Sequence, residues 1–224
     1  MVRKPGSVLF LGKAEDSHVE KAVQFCRANF KSVGVFLGGW DDPFPAGVAG
    51  RQWDYIISYL SRWVVPQRLL SKTRIAVNFH PGPPEYPGYG CNNFAIYDEA
   101  SEYGVTCHHM ARKVDAGRII AVRRFPVFPS DDAAALLRRA YDFQLVLFYE
   151  IAGCLIRGEK LPVSAEKWKR EPFTRKDFAR LARITADMSK DEVGKRIRAT
   201  DMGRWKPTVE VHGYTFELKT EPGP

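Results

Sequence analysis

The sequence predicts an α/β fold: a mostly parallel sheet with helices on both faces, followed by a small C-terminal region of helices and one β-hairpin. Three observations carry that prediction. Residues 7–12, 32–37, 54–60 and 75–80 are short apolar runs without polar alternation, as strands covered on both faces require. Helical patterns and turn-rich segments separate these runs, so neighbouring strands can run parallel through crossover connections. From Leu161 onward the chain becomes basic and its elements shorten. The arrangement is Rossmann-like. It divides the 224 residues into a main domain over 1–160 and a small subdomain over 161–224.

The first strand, 7–12, ends at Gly12. Residues 17–29 set Val19, Val23, Phe25 and Cys26 among polar residues, a helix that Ser17 would cap with Glu20 completing a capping box. The second strand closes on Gly38-Gly39, and 41–50, rich in Pro, Gly and Asp, is a loop. After the third strand, Pro66 opens a short helix over 66–70. The fourth strand, 75–80, runs into 80–91, where four prolines and three glycines exclude regular structure. A short helix over 92–100, strands over 104–110 and 118–125, and a long, widely apolar helix over 131–157 follow. Beyond them, Thr174 with Asp177 and Ser189 with Glu192 predict two capped helices. His212-Gly213 joins strands 209–211 and 214–218 in a tight hairpin.

Chemistry concentrates where the fourth strand ends. Residues two apart on a strand share a face, so Asn78 and His80 project together while Phe79 turns into the opposite layer. An amide can donate to an oxygen that gains charge, and an imidazole can exchange a proton near neutral pH. The same pair could instead satisfy loop backbone groups. Pro81-Gly82 ends the strand at once and predicts a pair exposed at a sheet edge. Asp115 sits in a turn, where a carboxylate serves local hydrogen bonding or orients a histidine. Cys107, His108 and His109, with Cys91, lack the set that completes a tetrahedral metal site, so no metal is expected. His108 reads instead as a buried group hydrogen-bonded to the site loop.

The formal charge of +8 fits a solvated basic surface or a polyanionic partner, either nucleic acid or a phosphorylated small molecule. Lys and Arg are densest over 167–204. No GxGxxG, GxxxxGK[ST] or GxSxG occurs. No apolar stretch reaches membrane-spanning length, and no export leader precedes the first strand. The four cysteines form no CxxC pair and read as reduced thiols of a cytoplasmic protein.

Three motifs in order, NFHPGPPEYPGYG over 78–90, GVTCHHM over 104–110 and VDAGRII over 114–120, resemble the folate-dependent formyltransferase family. The resemblance implies Asn78, His80 and Asp115 as the catalytic triad, with His108 as structural support. It implies N10-formyltetrahydrofolate as co-substrate. Leu60, Arg62, Trp63, Val64, Met110 and Val114 would contact the folate. Among the branches, the nucleotide-sugar N-formyltransferases are most similar. The acceptor would then be the amino group of a nucleotide-linked amino dideoxy sugar used in surface polysaccharide such as lipopolysaccharide O-antigen. Glu85, Tyr86 and Asn93 would face the sugar. Methionyl-tRNA enzymes usually carry a longer RNA-binding C-terminal domain, and ribonucleotide transformylases a Gly/Ser-rich phosphate loop that Lys13-Ala14-Glu15 does not resemble. Formylation of either acceptor, a formyl-folate hydrolase, and a basic nucleic-acid-binding protein without catalysis are the alternatives. The C-terminal hairpin could pair across a homodimer or within one chain.

Overall fold

The computed structural model describes residues 5–203 and 205–219; Arg204, the last residue of the basic stretch, and residues 1–4 lie outside the described residues. Four parallel strands form the centre: β1 (Ser7–Lys13), β2 (Ser32–Gly38), β3 (Tyr55–Tyr59) and β4 (Ile75–His80). β5 (Glu102–His109) and β6 (Ile119–Pro126) extend the sheet antiparallel, giving the order β2-β1-β3-β4-β5-β6. The short loop between β5 and β6 cannot hold a crossover, which fixes their antiparallel sense.

Strand alternation sends side chains to two cores. Val8, Phe10, Tyr55, Ile57, Tyr59, Val77 and Phe79 pack with α1 (Ser17–Asn29) and α4 (Ala133–Arg157). Leu9, Leu11 and Ile56 pack on the other face with Val48, Trp53, Val65 and Leu69, the last from the short α2 (Gln67–Leu70). Helices therefore cover both faces, as the apolar runs require. Phe148 of α4 meets Phe10, Tyr59 and Phe79 with ring centres 5.5–6.4 Å apart.

Two caps differ from the sequence expectation. Asp16, not Ser17, caps α1, accepting from the N–H groups of His18 and Val19. Its extended backbone, φ −136°, suits a cap, and Ser17 falls inside the first turn. Thr174 and Asp177 form the full capping box of α5 (Arg175–Ala182). At α6 (Lys190–Thr200) only half of a box forms: Ser189 accepts from the Glu192 N–H, while the Glu192 carboxylate turns to the Tyr97 hydroxyl and Arg196. The loop over 41–50 ends in a 3-10 turn, Ala46–Gly50.

The C-terminal residues wrap back onto the main sheet. α3 (Cys91–Tyr97) is gripped from there, since the Asn93 amide donates to the Ala199 carbonyl at 2.6 Å. Phe173 stacks on Phe94 at 3.6 Å and exchanges backbone bonds with Pro87 and Tyr89. The hairpin of β8 (Thr208–Val211) and β9 (Tyr214–Glu217) turns at His212 and Gly213, both at positive φ. β8 also pairs with β7 (Arg183–Ile184), a two-residue strand too short to leave a pattern in the sequence. The hairpin thus pairs within the chain, leaving Tyr214 and Phe216 exposed on β9. Among the described residues, no helix is long and apolar enough to cross a membrane.

Candidate active site

The direction of strand progression reverses at β1: β2 lies on one side and β3, then β4, on the other. In open sheets a crevice forms beyond the carboxyl ends of strands at such a reversal. A cavity of about 770 Å³ lies there, lined by Lys13 from the end of β1, Trp40 after β2, Leu60 after β3, and Asn78 and His80 from β4. β4 is an interior strand between β3 and β5, so the Asn78–His80 pair sits at a strand end rather than at a sheet edge. His80 is buried, 5% exposed, where the sequence predicted an exposed group. The Pro/Gly loop folds back over it and supplies that burial.

The β4–β5 pairing sets His108 directly opposite Asn78, and the loop after β5 returns Asp115 to both. Asp115 is 5% exposed and carries four contacts. Its Oδ2 lies 3.2 Å from His80 Nδ1 and accepts from the Gly88 N–H at 2.9 Å. Its Oδ1 lies 3.2 Å from His108 Nε2 and 3.3 Å from Asn78 Nδ2. Two backbone features make the arrangement. Asp115 adopts φ 43°, a left-handed conformation that Asp tolerates and bulkier residues avoid. Gly117 lies so close to β5 that a Cβ there would sit 1.7 Å from the His109 carbonyl.

These contacts fix the charge state. Burial opposes charge on His80, but the Asp115 carboxylate, with help from Cys91 and from the Tyr86 carbonyl 3.0 Å from Nε2, raises its pKa to about 9. Burial likewise opposes charge on Asp115, yet His80, His108 and the Gly88 N–H hold its carboxyl well below the usual range. Both imidazole nitrogens of His80 face oxygen acceptors, so the imidazolium is the form whose hydrogen bonds are all satisfied. The Asn78 nitrogen points at Asp115 and His108, at 3.3 and 3.1 Å.

A pH window for stability follows. The raised pKa of His80 adds stability that is fully present below its ordinary value of 6.5 and lost as pH rises through about 9. The lowered pKa of Asp115 adds stability present above 3.8 and lost as pH falls toward its folded value. The stability difference between wild type and Asp115→Asn, measured by urea denaturation, should therefore be largest from about pH 4 to 6.5 and shrink above about 9. A difference that stays flat across this range would contradict the ion pair.

The structure brings Asn78, His80, His108 and Asp115 together. Leu60, Arg62, Trp63, Val64, Met110 and Val114 all line the same cavity, as does Asn93. The Asn93 nitrogen is already engaged by Ala199 and Met202. Glu85 and Tyr86 do not line it. Glu85 turns outward to Arg124, and the Tyr86 ring is buried beside Tyr103, leaving its carbonyl to His80. Cys107 is buried in the core behind the site.

Of the cavity rim, sequence reasoning named Arg62 and missed Trp40, Tyr89, Arg175 and Trp205. Trp40, Tyr89 and Trp205 cluster there with ring centres 5.6–5.9 Å apart. The Arg62 guanidinium lies 3.2 Å from the Trp40 ring centre and that of Arg175 5.6 Å from it. Tyr89 lies in the 78–90 motif, but the others are spread over the chain with no motif to join them. The α1 N-terminus is closed to an anion, because the Asp16 carboxylate takes its N–H groups and pairs with Lys13 at 2.9 Å.

Residues 46–151 match the formyl transferase family model. A methionyl-tRNA formyltransferase from Levilactobacillus brevis is 26% identical over 170 residues, which are 75% of this chain and 52% of that protein. The chain spans about half or less of the curated relatives it matches. A 4-N formyltransferase structure from Francisella tularensis superposes with TM-score 0.76 at 16% identity, covering 98% of each chain. An N-formyltransferase from Helicobacter canadensis, in complex with folinic acid and dTDP-3-aminofucose, superposes with TM-score 0.71 at 18% identity, over 94% of this chain and 85% of that one. The structural likenesses establish the fold, including the C-terminal region.

Proposed function

We propose that the protein transfers a formyl group from N10-formyltetrahydrofolate to the amino group of a nucleotide-linked amino sugar, in the cytoplasm. The carrying observation is the buried His80–Asp115 ion pair, joined by His108 and Asn78, at the floor of a 770 Å³ cavity. The segment from Leu60 to Val65, with Met110 and Val114, offers an apolar slot on one side, suited to a flat pterin ring. The aromatic and arginine rim suits the base and phosphates of a nucleotide. Asn93, which lines the cavity with its amide nitrogen held by Ala199, would face the sugar with its carbonyl oxygen.

In this reading the neutral acceptor amine attacks the formyl carbon. A C–N bond forms to the acceptor, the bond to the folate nitrogen breaks, and the amine's surplus proton ends on that nitrogen. His80, charged and held by Asp115, stabilises the oxyanion through its positive charge while its N–H groups stay on Asp115 and the Tyr86 carbonyl. Asn78 joins it by turning its amide from Asp115 toward the reacting oxygen. His108 holds the second carboxylate oxygen, so Asp115 cannot swing away from His80.

The sugar acceptor draws support from superposition, over 94% of this chain, on an N-formyltransferase that holds dTDP-3-aminofucose. The methionyl-tRNA relatives and the net charge of +8 favour a second reading, an RNA-borne acceptor. The test incubates the protein with formyl-tetrahydrofolate and a panel of dTDP-, GDP- and UDP-linked amino sugars, with initiator methionyl-tRNA alongside. A sugar nucleotide should gain one formyl group by mass. Formylation of the tRNA alone would overturn the acceptor and leave the transfer chemistry standing.

A further inference from the structure

A second cavity, about 460 Å³, also meets Asp115 and shares Lys113 and Pro172 with the first. Lys113, Lys169 and Arg170 line it, together with Trp168. Neither His80 nor His108 lines it, although both touch Asp115. Trp168 stands between. Its ring meets His108 at 5.1 Å and 87°, and His80 at 6.0 Å and 70°. The indole N–H donates to the Gly117 carbonyl at 2.8 Å, fixing the ring across the turn that carries Asp115. The segment is tied down by neighbouring backbone bonds, Lys169 N–H to Pro84 and Phe173 N–H to Pro87.

The physical consequence lies in the local dielectric. A buried ion pair is strong only while water is kept from it. Water admitted past Trp168 to the imidazoles would compete for the His80 Nδ1–H and weaken its bond to Asp115. Lys113, which already pairs with Glu171, and Lys169 would become alternative partners for the carboxylate.

We propose that Trp168 is a positioning residue for the His80–Asp115 pair: a wall that keeps the water and cations of the second cavity, which meets Asp115, from reaching the His80 and His108 imidazoles, and that fixes the angle of both rings. This rests on the reading of that pair as the reacting centre. Trp168 touches no substrate in this account and acts through the histidines.

The test uses full-length protein with ¹⁵N-labelled histidine. In wild type, the His80 Nδ1–H should give a downfield resonance protected from solvent exchange, assigned by its loss in His80→Asn. In Trp168→Ala that resonance should vanish into exchange, and kcat should fall about 10- to 100-fold with KM unchanged. Trp168→Phe, which keeps the wall and loses the bond to Gly117, should retain both properties. If Trp168→Ala does not fold, Trp168→Gln reads the same outcomes. A protected resonance in the Ala or Gln variant would overturn the proposal. So would equal loss in Trp168→Phe, because the effect would then follow the hydrogen bond. The resonance is read without substrate, so a wild-type protein that transfers no formyl group would sink the catalytic reading and leave the wall to be judged by the resonance alone.

Discussion

Asp115→Asn should lower kcat by about 10²- to 10⁴-fold while the protein stays folded. Two effects combine. The negative charge that holds His80 protonated disappears, and burial, opposed only by Cys91 and the Tyr86 carbonyl, lowers its pKa. The amide also replaces one acceptor oxygen with a donor nitrogen. That nitrogen can donate to Nδ1 of neutral His80, whose one N–H serves the Tyr86 carbonyl, so the uncharged form is favoured. Folding should survive, because Asn is among the residues that best tolerate the φ of 43° at this position. The lost ion pair removes a charge from each side together, since His80 then becomes neutral. Turnover near the wild-type level would show that the carboxylate does no more than shape the turn.

Phe148→Ala should cost about 3–5 kcal/mol of stability. Phe148 is fully buried and touches rings from three strands and from α1: Phe10, Tyr59, Phe79 and Phe25. Phe79 separates Asn78 from His80 in β4, so this cluster is the floor on which the site stands. A void there cannot be filled by small shifts of four rings held on rigid elements. Urea denaturation measures the loss; a cost below about 1 kcal/mol would mean that the cluster repacks around the gap.

The sequence resolves these two layers unequally. Apolar runs locate the four parallel strands, and strand alternation alone places Asn78 and His80 on one face with Phe79 beneath. Asp115 is different. Its approach depends on antiparallel pairing between β4 and β5 and on a left-handed turn, neither of which spacing reveals. Only the motif order pointed to it. Burial of His80 was also hidden, because it comes from a loop folding back and not from the strand's own pattern. Glu85 and Tyr86 show the reverse error. Adjacency to the site histidine along the chain suggested substrate contacts, but the rigid loop turns one outward to Arg124 and sinks the other beside Tyr103. Asp16 and Ser17 are both good caps by composition, and only backbone angles separate them. Trp168 leaves no trace in the sequence, since its partners lie about 50 to 90 residues away and are aligned only by the folded chain.

The most direct test follows a labelled formyl group from formyl-tetrahydrofolate in wild type and in His80→Asn, with an amino-sugar nucleotide present. The account predicts that label moves to the acceptor amine in wild type and that the rate falls at least about 10²-fold in the variant. Label that stays on the folate, is released as formate whether or not amine is present, or moves at the wild-type rate without His80 would contradict it.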